Sequence, residues 1–105
     1  MKVITYARGA NGEHNVEAQQ ERLIKALPPE YEVVGSYSDV ASGLSRRPPG
    51  LLAALDHLAA GGIQALCVTS LDRLTRRVDE LEMMLRWCSQ QGLIIKEFRD
   101  APESQ

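Results

Sequence analysis

Two kinds of hydrophobic pattern alternate along the chain. Short apolar or β-branched runs of strand length occur at residues 2–6 (KVITY), 31–38 (YEVVGSYS), 63–69 (IQALCVT) and 93–98 (LIIKEF). Between these runs, apolar residues recur at helical spacing over residues 15–27, 50–60 and 78–91. The pattern therefore predicts seven elements in the order βαβαβαβ.

Residues typical of helix ends support the three predicted helices. Asn15 can cap the first helix, and Pro28-Pro29 ends it. Pro48-Pro49 lies at the first turn of the second helix, and Gly61-Gly62 follows its last residue. Gly92 closes the third helix. Each predicted helix therefore has at least one end marked by a residue that is typical of helix termini.

The order of the elements predicts an α/β fold. Short connections between alternating strands and helices favour a mostly parallel, four-stranded sheet with helices on both faces. The run at 63–69 is almost continuously apolar, which is typical of a central parallel strand. A chain of 105 residues fits one domain, so we expect residues 1–105 to form a single unit. Ligands of such sheets bind at the carboxyl ends of the strands.

The charge distribution changes the picture more than the total charge does. A formal net charge of −2 argues against a generally basic nucleic-acid-binding surface. Residues 46–77, however, contain five arginines, two aspartates and no lysine. Arginine without lysine favours bidentate recognition of a phosphate or a carboxylate. A solvated surface with exposed ion pairs is the alternative interpretation of this segment.

The cysteines and histidines do not form a metal-binding pattern. Cys67 lies in a strand-like run and Cys88 in a helical one, so we expect packed, reduced thiols. His14 and His57 are expected on the surface. No apolar run reaches the length of a membrane span, and the N-terminus does not resemble a secretory signal. We therefore expect a cytoplasmic protein that does not contact a membrane.

Charged side chains follow the predicted first and third strands. Arg8 comes two residues after the first strand, and Asp72, Arg73 and Arg76 follow the third. Three guanidinium groups at one sheet edge suit a phosphodiester, because they match phosphate oxygens and keep their charge at any working pH. Asp72 could orient an arginine or accept a proton. Metal binding is disfavoured, and the segment at residues 7–13 (ARGANGE) matches neither glycine-rich phosphate motif.

Several short motifs together resemble a known family. They are Tyr6-Ala7-Arg8, residues 15–19 (NVEAQ), Tyr37-Ser38-Asp39, Ser42-Gly43, Arg47-Pro48, Gly50-Leu51 and residues 71–76 (LDRLTR). In this order and spacing the chain resembles the N-terminal catalytic domain of the resolvase/invertase family of serine recombinases. The resemblance covers essentially the whole chain. It implies site-specific DNA recombination through a phosphoserine intermediate, with no metal and no cofactor.

The resemblance also implies roles for individual residues. The residues expected to bind the DNA phosphate are Arg8, Arg47, Arg73 and Arg76. Arg46 is an alternative match to the family arginine of the second loop. Asp72 would orient the site or relay a proton, and Gln19 would support it.

The chain departs from the family pattern where the nucleophile belongs. The family sequence reads YxRVS, whereas this chain reads Tyr6-Ala7-Arg8-Gly9-Ala10. Covalent catalysis needs an oxygen or sulfur nucleophile, and an alanine methyl group cannot attack phosphorus. We therefore expect a cleavage-deficient domain with a regulatory or vestigial role. Gly9 is expected to loosen the backbone at this point.

Two other interpretations remain open from the sequence. The chain could be an N-terminal fragment, or a Ser-to-Ala variant, of an active serine recombinase. It could also be a phospho-receiver-like or small-ligand α/β domain. Receivers need clustered acidic residues after the first strand, where this chain has Arg8.

The resemblance lacks the family's C-terminal parts. Family members continue into a long dimer helix and a helix-turn-helix module, and neither is expected in residues 1–105. DNA is the expected partner, bound weakly by this chain alone. Self-association as a homodimer, or association with recombinase subunits, is the protein partnership that the resemblance implies.

Overall fold

Seven elements follow one another in the predicted order. In a computed structural model of the chain, residues 1–10, 15–41, 49–71, 74–75 and 77–98 are described. The elements are β1 (Lys2–Ala10), α1 (Asn15–Ala26), β2 (Glu32–Ala41), α2 (Pro49–Ala60), β3 (Ala65–Val68), α3 (Val78–Gln90) and β4 (Ile94–Glu97). Among these described helices, none is long and apolar enough to cross a membrane.

The four strands form one parallel sheet in the order β2-β1-β3-β4. From β1 the chain goes to β2, which lies next to β1 at one edge of the sheet. It then crosses back to β3, which lies on the other side of β1. The connections after β1 and β3 therefore lead to strands on opposite sides of this central pair, and the carboxyl end of such a pair is where parallel sheets bind ligands. The prediction of an α/β fold with a parallel sheet is confirmed.

Helices cover both faces of the sheet. On one face Leu23 of α1 packs against buried residues of β1 and β3, which are Val3, Ala65 and Cys67. On the other face α2 and α3 contribute Leu51, Ala54, Leu58 and Cys88 to a second cluster with Ile4, Tyr6, Leu66 and Val68. Both cysteines are free and buried, as expected from the sequence. The predicted arrangement of the layers is therefore confirmed.

The first strand is longer than the hydrophobic pattern predicts. β1 continues through Arg8, Gly9 and Ala10, which lie opposite Asp39, Val40 and Ala41 of β2. The extension depends on this pairing, because glycine and alanine have little intrinsic preference for a strand. The expectation that Arg8 follows the strand is therefore wrong: Arg8 lies within β1.

The pairing of β2 with β1 is shifted by one residue. Two consecutive residues of β1 lie opposite Val33 and Gly35, so that Val34 is the extra residue of a β-bulge. Val33 packs with the cluster under α1, whereas Tyr37 packs with the cluster under α2. In a regular strand, residues four apart share a face. The bulge therefore turns the second half of β2 toward α2.

His57 of α2 packs against the second half of β2 and is not a solvated surface residue. Its side chain is half-buried, and its Nδ1 lies 2.7 Å from the hydroxyl of Tyr37. The two rings meet edge to face, with centroids 5.9 Å apart. The surface prediction for His57 is therefore wrong, because the helix places it over β2. The prediction for His14 falls outside the described residues.

Candidate nucleic-acid interface

The end of β1 is fixed to α1 by a buried amide. Gln19 is only 4% exposed, and its Nε2 donates a hydrogen bond to the carbonyl oxygen of Arg8 at 2.8 Å. The side chain of Arg8 is half-buried. Among the described residues, the buried Oε1 atom of Gln19 has no hydrogen-bond partner. Two of the predicted site residues, Arg8 and Gln19, are therefore brought together through the backbone of β1.

The other predicted site residues lie outside the described part of the chain. They are Arg47, Asp72, Arg73 and Arg76. Their convergence with Arg8 on one phosphate stays a prediction. The described residues on either side of them show where these segments leave and rejoin the fold.

Gly9 is required by close packing between β1 and α1. A Cβ atom at position 9 would lie 2.6 Å from Cγ2 of Val16, closer than real Cβ contacts come. Gly9 is buried and lies opposite Val40 in the sheet. The expectation that Gly9 loosens the backbone is therefore wrong, since the missing side chain lets the helix approach the strand.

Asp39 joins three elements through its carboxylate. Its Oδ2 accepts hydrogen bonds from the hydroxyl of Tyr6 at 2.7 Å and from the backbone N–H of Leu51 at 2.9 Å. Its Oδ1 accepts from the N–H of Gly50 at 2.8 Å. These two N–H groups belong to the first turn of α2, where a helix has free donors and a partial positive charge. Asp39 therefore caps α2 from β2, at the base of the connection that contains Arg47.

No local sequence pattern indicates this cap, because capping residues usually stand next to the helix that they cap. Asp39 lies one position beyond the predicted strand at residues 31–38 and eleven positions before Gly50. A second glycine requirement accompanies the cap, since a Cβ at Gly50 would overlap the backbone carbonyl of Ser38. The motifs Tyr37-Ser38-Asp39 and Gly50-Leu51 therefore meet in space.

The hydroxyl of Tyr6 stays protonated in this arrangement. Burial raises the pKa of Tyr6 well above its ordinary value, and the hydrogen bond to Asp39 and the charge of Asp39 raise it further. The positive charge of Arg8 opposes these effects. Tyr6 is therefore a stable donor to Asp39, and Arg8 is near enough to act on the same group.

The connection between β3 and α3, residues 69–77, is anchored before and after its undescribed residues. The N–H of Leu71 donates to Oε2 of Glu97 at 3.0 Å. The N–H of Leu74 donates to the carbonyl oxygen of Leu71 at 3.0 Å, and the side chain of Leu74 is buried in the main core. The described residues Leu71 and Leu74 are therefore both held in place.

Thr75 holds the second half of the same connection. Its Oγ1 donates to Oε1 of Glu80 at 2.8 Å and accepts from the N–H of Arg77 at 3.1 Å. Thr75 is itself buried. A threonine hydroxyl and a glutamate in the first turn of the helix together satisfy groups at the start of α3, much as in a capping box.

Arg77 is paired with its own helix. Its guanidinium lies 3.3 Å from Oδ2 of Asp79 and 3.7 Å from Oε2 of Glu80, on the exposed surface. The hydrogen bond from Arg77 lowers the pKa of Asp79. The alternative interpretation of the arginine-rich segment, exposed ion pairs, is therefore correct for Arg77.

The buried hydroxyl and thiol groups are poorly placed for nucleophilic attack. Thr5 is fully buried, and its Oγ1 makes hydrogen bonds of 2.7 Å with Gln20 and 2.9 Å with Ser36. Burial raises the pKa of Cys67 to about 11, although Lys96 acts in the opposite direction. Within the described ranges, no group of three or more His, Cys, Asp or Glu residues could hold a metal ion.

Comparisons with known proteins agree with this fold. A family described as "Resolvase, N terminal domain" matches residues 3–104. The catalytic domain of ISC1926 TnpA, an IS607-like serine recombinase, is 27% identical, with a TM-score of 0.85 over 99% of this chain and 74% of that one. No match is found among curated proteins.

Two further structures share the fold at lower identity. The N-terminal catalytic domain of TP901-1 integrase is 23% identical, with a TM-score of 0.81 over 93% of this chain and 77% of that one. The first open reading frame of transposon ISC1904 from Sulfolobus solfataricus P2 is 22% identical, with a TM-score of 0.77 over 100% and 72% of the two chains.

Proposed function

Because the chain belongs to the resolvase N-terminal domain family of serine recombinases, we propose that it binds a DNA phosphodiester at the carboxyl edge of its sheet without cutting it. The observation that carries the proposal is the end of β1. Arg8 lies at this edge, and two residues later the strand ends in Ala10, whose side chain contains no oxygen. The chemistry left at this position is phosphate binding.

In this proposal four arginines bind the phosphate. They belong to the end of β1, the connection between β2 and α2, and the connection between β3 and α3. They are Arg8, Arg47, Arg73 and Arg76. Asp72 orients the guanidinium groups, and Gln19 holds the backbone of Arg8. No cofactor or metal is needed, because guanidinium groups neutralise phosphate charge directly.

A regulatory or vestigial role follows from the missing nucleophile. The contact between Gly9 and Val16 supports divergence of the natural sequence over a single introduced Ser-to-Ala change. A valine at position 9, as in the family pattern, would require a different neighbour at position 16. The domain would act by binding DNA weakly and by associating with a second copy or with recombinase subunits. Its location in the cytoplasm, and the boundaries of the domain, stay predictions.

Phosphate binding is tested by nuclear magnetic resonance. The isotope-labelled chain is titrated at low salt with a short duplex of about 12 base pairs, since phosphate contacts weaken steeply with salt. We expect shifts at residues 8–10 and 71–77, and Arg8→Ala should weaken binding about fivefold or more. Lys25→Ala, on the exposed end of α1, is the control for the loss of one positive charge. Equal effects of the two substitutions would refute a phosphate site at Arg8.

The absence of cleavage is tested separately with supercoiled plasmid DNA. After incubation and denaturation, the natural chain should leave no protein covalently attached to DNA. Ala10→Ser should give little or no adduct, because a serine misplaced by about 1 Å loses on the order of 100-fold in rate. An adduct with the natural chain would refute the proposal. Efficient cleavage by Ala10→Ser would favour an active recombinase carrying an introduced alanine.

A further inference from the structure

The strand β2 lies at an edge of the sheet and is much longer than the other edge strand. It contains 10 residues, whereas β4 contains 4. Among the described strands only β1 pairs with β2. An edge strand presents backbone N–H and C=O groups on its other side, and these groups can pair with a strand from another chain. β2 is therefore the better of the two edges for strand addition.

The features that usually protect an edge strand are few in β2. Natural edges often contain lysine, proline, an inward-pointing charge or a bulge. β2 contains neither lysine nor proline, and the carboxylate of Asp39 is bound by Tyr6 and by the first turn of α2. The bulge at Val34 is followed by regular pairing with β1 from Gly35 to Ala41. The second part of β2 therefore keeps a regular edge.

The exposed valines of β2 are placed symmetrically about Tyr37. Val34 is 36% exposed and lies three residues before Tyr37, and Val40 is 56% exposed and lies three residues after it. If two copies of β2 pair antiparallel with their Tyr37 residues opposite each other, each Val34 lies opposite the second copy's Val40. The same register places Ser36 opposite Ser38. Apolar pairs and polar pairs that lie directly opposite each other stabilise a sheet.

Neighbouring registers fit less well. When the centre moves one residue toward the start of β2, Val34 lies opposite Ser38 and Val40 lies opposite Glu32. In the register centred on Tyr37, Asp39 lies opposite an uncharged glycine, so no two carboxylates face each other within residues 34–40. A surface that matches itself in this way favours a second copy of the chain over an unrelated strand.

Ile24 of α1 adds apolar surface at the same edge. Gln20 of α1 donates a hydrogen bond from Nε2 to the carbonyl oxygen of Tyr37 at 2.7 Å. Ile24 lies one helical turn after Gln20, on the flank of α1 that faces β2, and its side chain is 43% exposed. In an antiparallel pair of β2 strands the same faces of the two sheets adjoin. The two α1 helices would therefore lie on one side of the joined sheet.

We propose that β2 is a self-association surface, on which two copies of this chain pair antiparallel about Tyr37 and join their four-stranded sheets into one. The inference names the surface for the association with a second copy that the proposed function includes, and it does not depend on phosphate binding. The strands of the two copies run in opposite directions. The carboxyl edges that contain Arg8 therefore face opposite ways, and both stay open to DNA.

Sedimentation of charge variants tests the register. Strand addition buries less area than a standard interface, so the dimer should be weak and is measured up to about 1 mM. Val34→Lys combined with Val40→Lys places lysine opposite lysine twice and should weaken the dimer about tenfold or more. Val34→Lys combined with Val40→Glu places lysine opposite glutamate twice. At low salt it should dimerise about tenfold more tightly than the double-lysine variant, and high salt should reduce the difference.

Ile94→Lys is the control for a single added lysine at an edge. Ile94 is 46% exposed on β4, the other edge strand. Ile94→Lys should dimerise like the natural chain, whereas Val40→Lys should weaken the dimer about threefold to fivefold. Equal dimerisation of the two single variants, or of the two double variants, would overturn the proposed pairing.

Hydrogen exchange of the natural chain gives a test that needs no variant. The amides of β2 whose N–H groups point away from β1 should become more protected as the concentration rises, because these groups gain a partner in the dimer. The amides of β4 should not change. A natural chain that sediments as a monomer at all concentrations, or β2 protection that does not depend on concentration, would overturn the proposal.

The self-association surface and the phosphate site fail separately in these experiments. A chain that dimerises through β2 but does not bind the duplex would refute phosphate binding only. A chain that binds the duplex, is weakened by Arg8→Ala and stays monomeric would refute the self-association surface only.

Discussion

The end of β1 and the β3–α3 connection lie at the same edge of the sheet but are stabilised differently. At the end of β1 one hydrogen bond, from Gln19 to the carbonyl oxygen of Arg8, accompanies a steric contact in which Gly9 has no side chain and Val16 of α1 fills the space. In the β3–α3 connection the contacts are polar, from Glu97 to Leu71 and from Thr75 to Glu80. The first region departs from the family sequence at positions 9 and 10, whereas the second keeps the motif at residues 71–76.

Under the proposed function, this contrast explains how one site can lose one activity and keep another. Position 10 is paired through its backbone with Ala41 of β2, and this pairing does not require a serine side chain. The segment with the arginines depends on a set of hydrogen bonds to two other elements. Under the proposed function, many contacts therefore hold the segment that binds the phosphate, whereas cleavage depended on one side chain.

The largest expected effect tests the core support of the β3–α3 connection. Leu74→Ala should lower the free energy of unfolding by about 2–5 kcal/mol, because a fully buried leucine leaves a cavity. Chemical denaturation measures the loss. Met83→Ala, at a side chain 66% exposed on α3, is the control and should change stability little. A small effect at Leu74 would mean that the connection is not anchored in the core.

The next effect tests steric packing at the end of β1. Gly9→Val should lower the free energy of unfolding by about 1–3 kcal/mol, because its Cβ would collide with Val16. Val16→Ala removes the opposing methyl groups, so Gly9→Val should cost less in that background. A double-mutant cycle by denaturation measures the coupling, expected at about 0.5–3 kcal/mol. Additive effects would contradict the close contact.

A smaller effect tests the hydrogen bonds that Thr75 makes in the β3–α3 connection. Thr75→Val keeps the size of the side chain but removes the hydroxyl that bonds Glu80 and the N–H of Arg77. We expect a loss of about 0.5–2 kcal/mol in denaturation experiments, as for the loss of a helix cap. Ser89→Ala, exposed near the end of α3, serves as the matched loss of a hydroxyl. Equal losses of unfolding free energy in the two variants would show that the Thr75 hydroxyl does not stabilise the β3–α3 connection.

The smallest effect concerns the hydrogen bond between Tyr6 and Asp39. Tyr6→Phe should lower the free energy of unfolding by about 0.5–1.5 kcal/mol near neutral pH. Because the pKa of Tyr6 is raised in the folded state, its contribution is present below the ordinary tyrosine pKa of about 10 and is lost at higher pH. Melting temperatures should therefore fall less steeply above pH 10 in Tyr6→Phe than in the natural chain. Parallel curves would show that Tyr6 does not carry this dependence.

Local pattern was sufficient to predict the order of elements, the helices and the parallel sheet. It failed where residues distant in sequence decide the structure. The extension of β1 through Arg8 to Ala10 needs β2 as a partner, and the hydrogen bond from Leu71 to Glu97 joins positions 26 residues apart. Gly9 looked flexible because its packing partner was not visible in the sequence.

The candidate site divides in the same way. Arg8 and Gln19 were identified from motif positions, but their link through the Arg8 carbonyl depends on how α1 lies on β1. The motif that contains Asp39 does not indicate its role, since its cap on α2 comes from across a connection. No local rule predicts such a contact, because both ends of the hydrogen bond belong to separate elements.

The β-bulge at Val34 has a consequence for which insertions and deletions this chain can accept. The extra residue interrupts the regular alternation of side chains between the two faces of the sheet. Val33 and Tyr37, which are four residues apart, therefore lie on opposite faces. Removing Val34 itself would leave Val33 and Gly35 opposite Val3 and Ile4, as they are now, so both halves would keep their faces. A change of length in the second half of β2 is compatible with the cap on α2 only when the parity between Gly35 and Asp39 is kept.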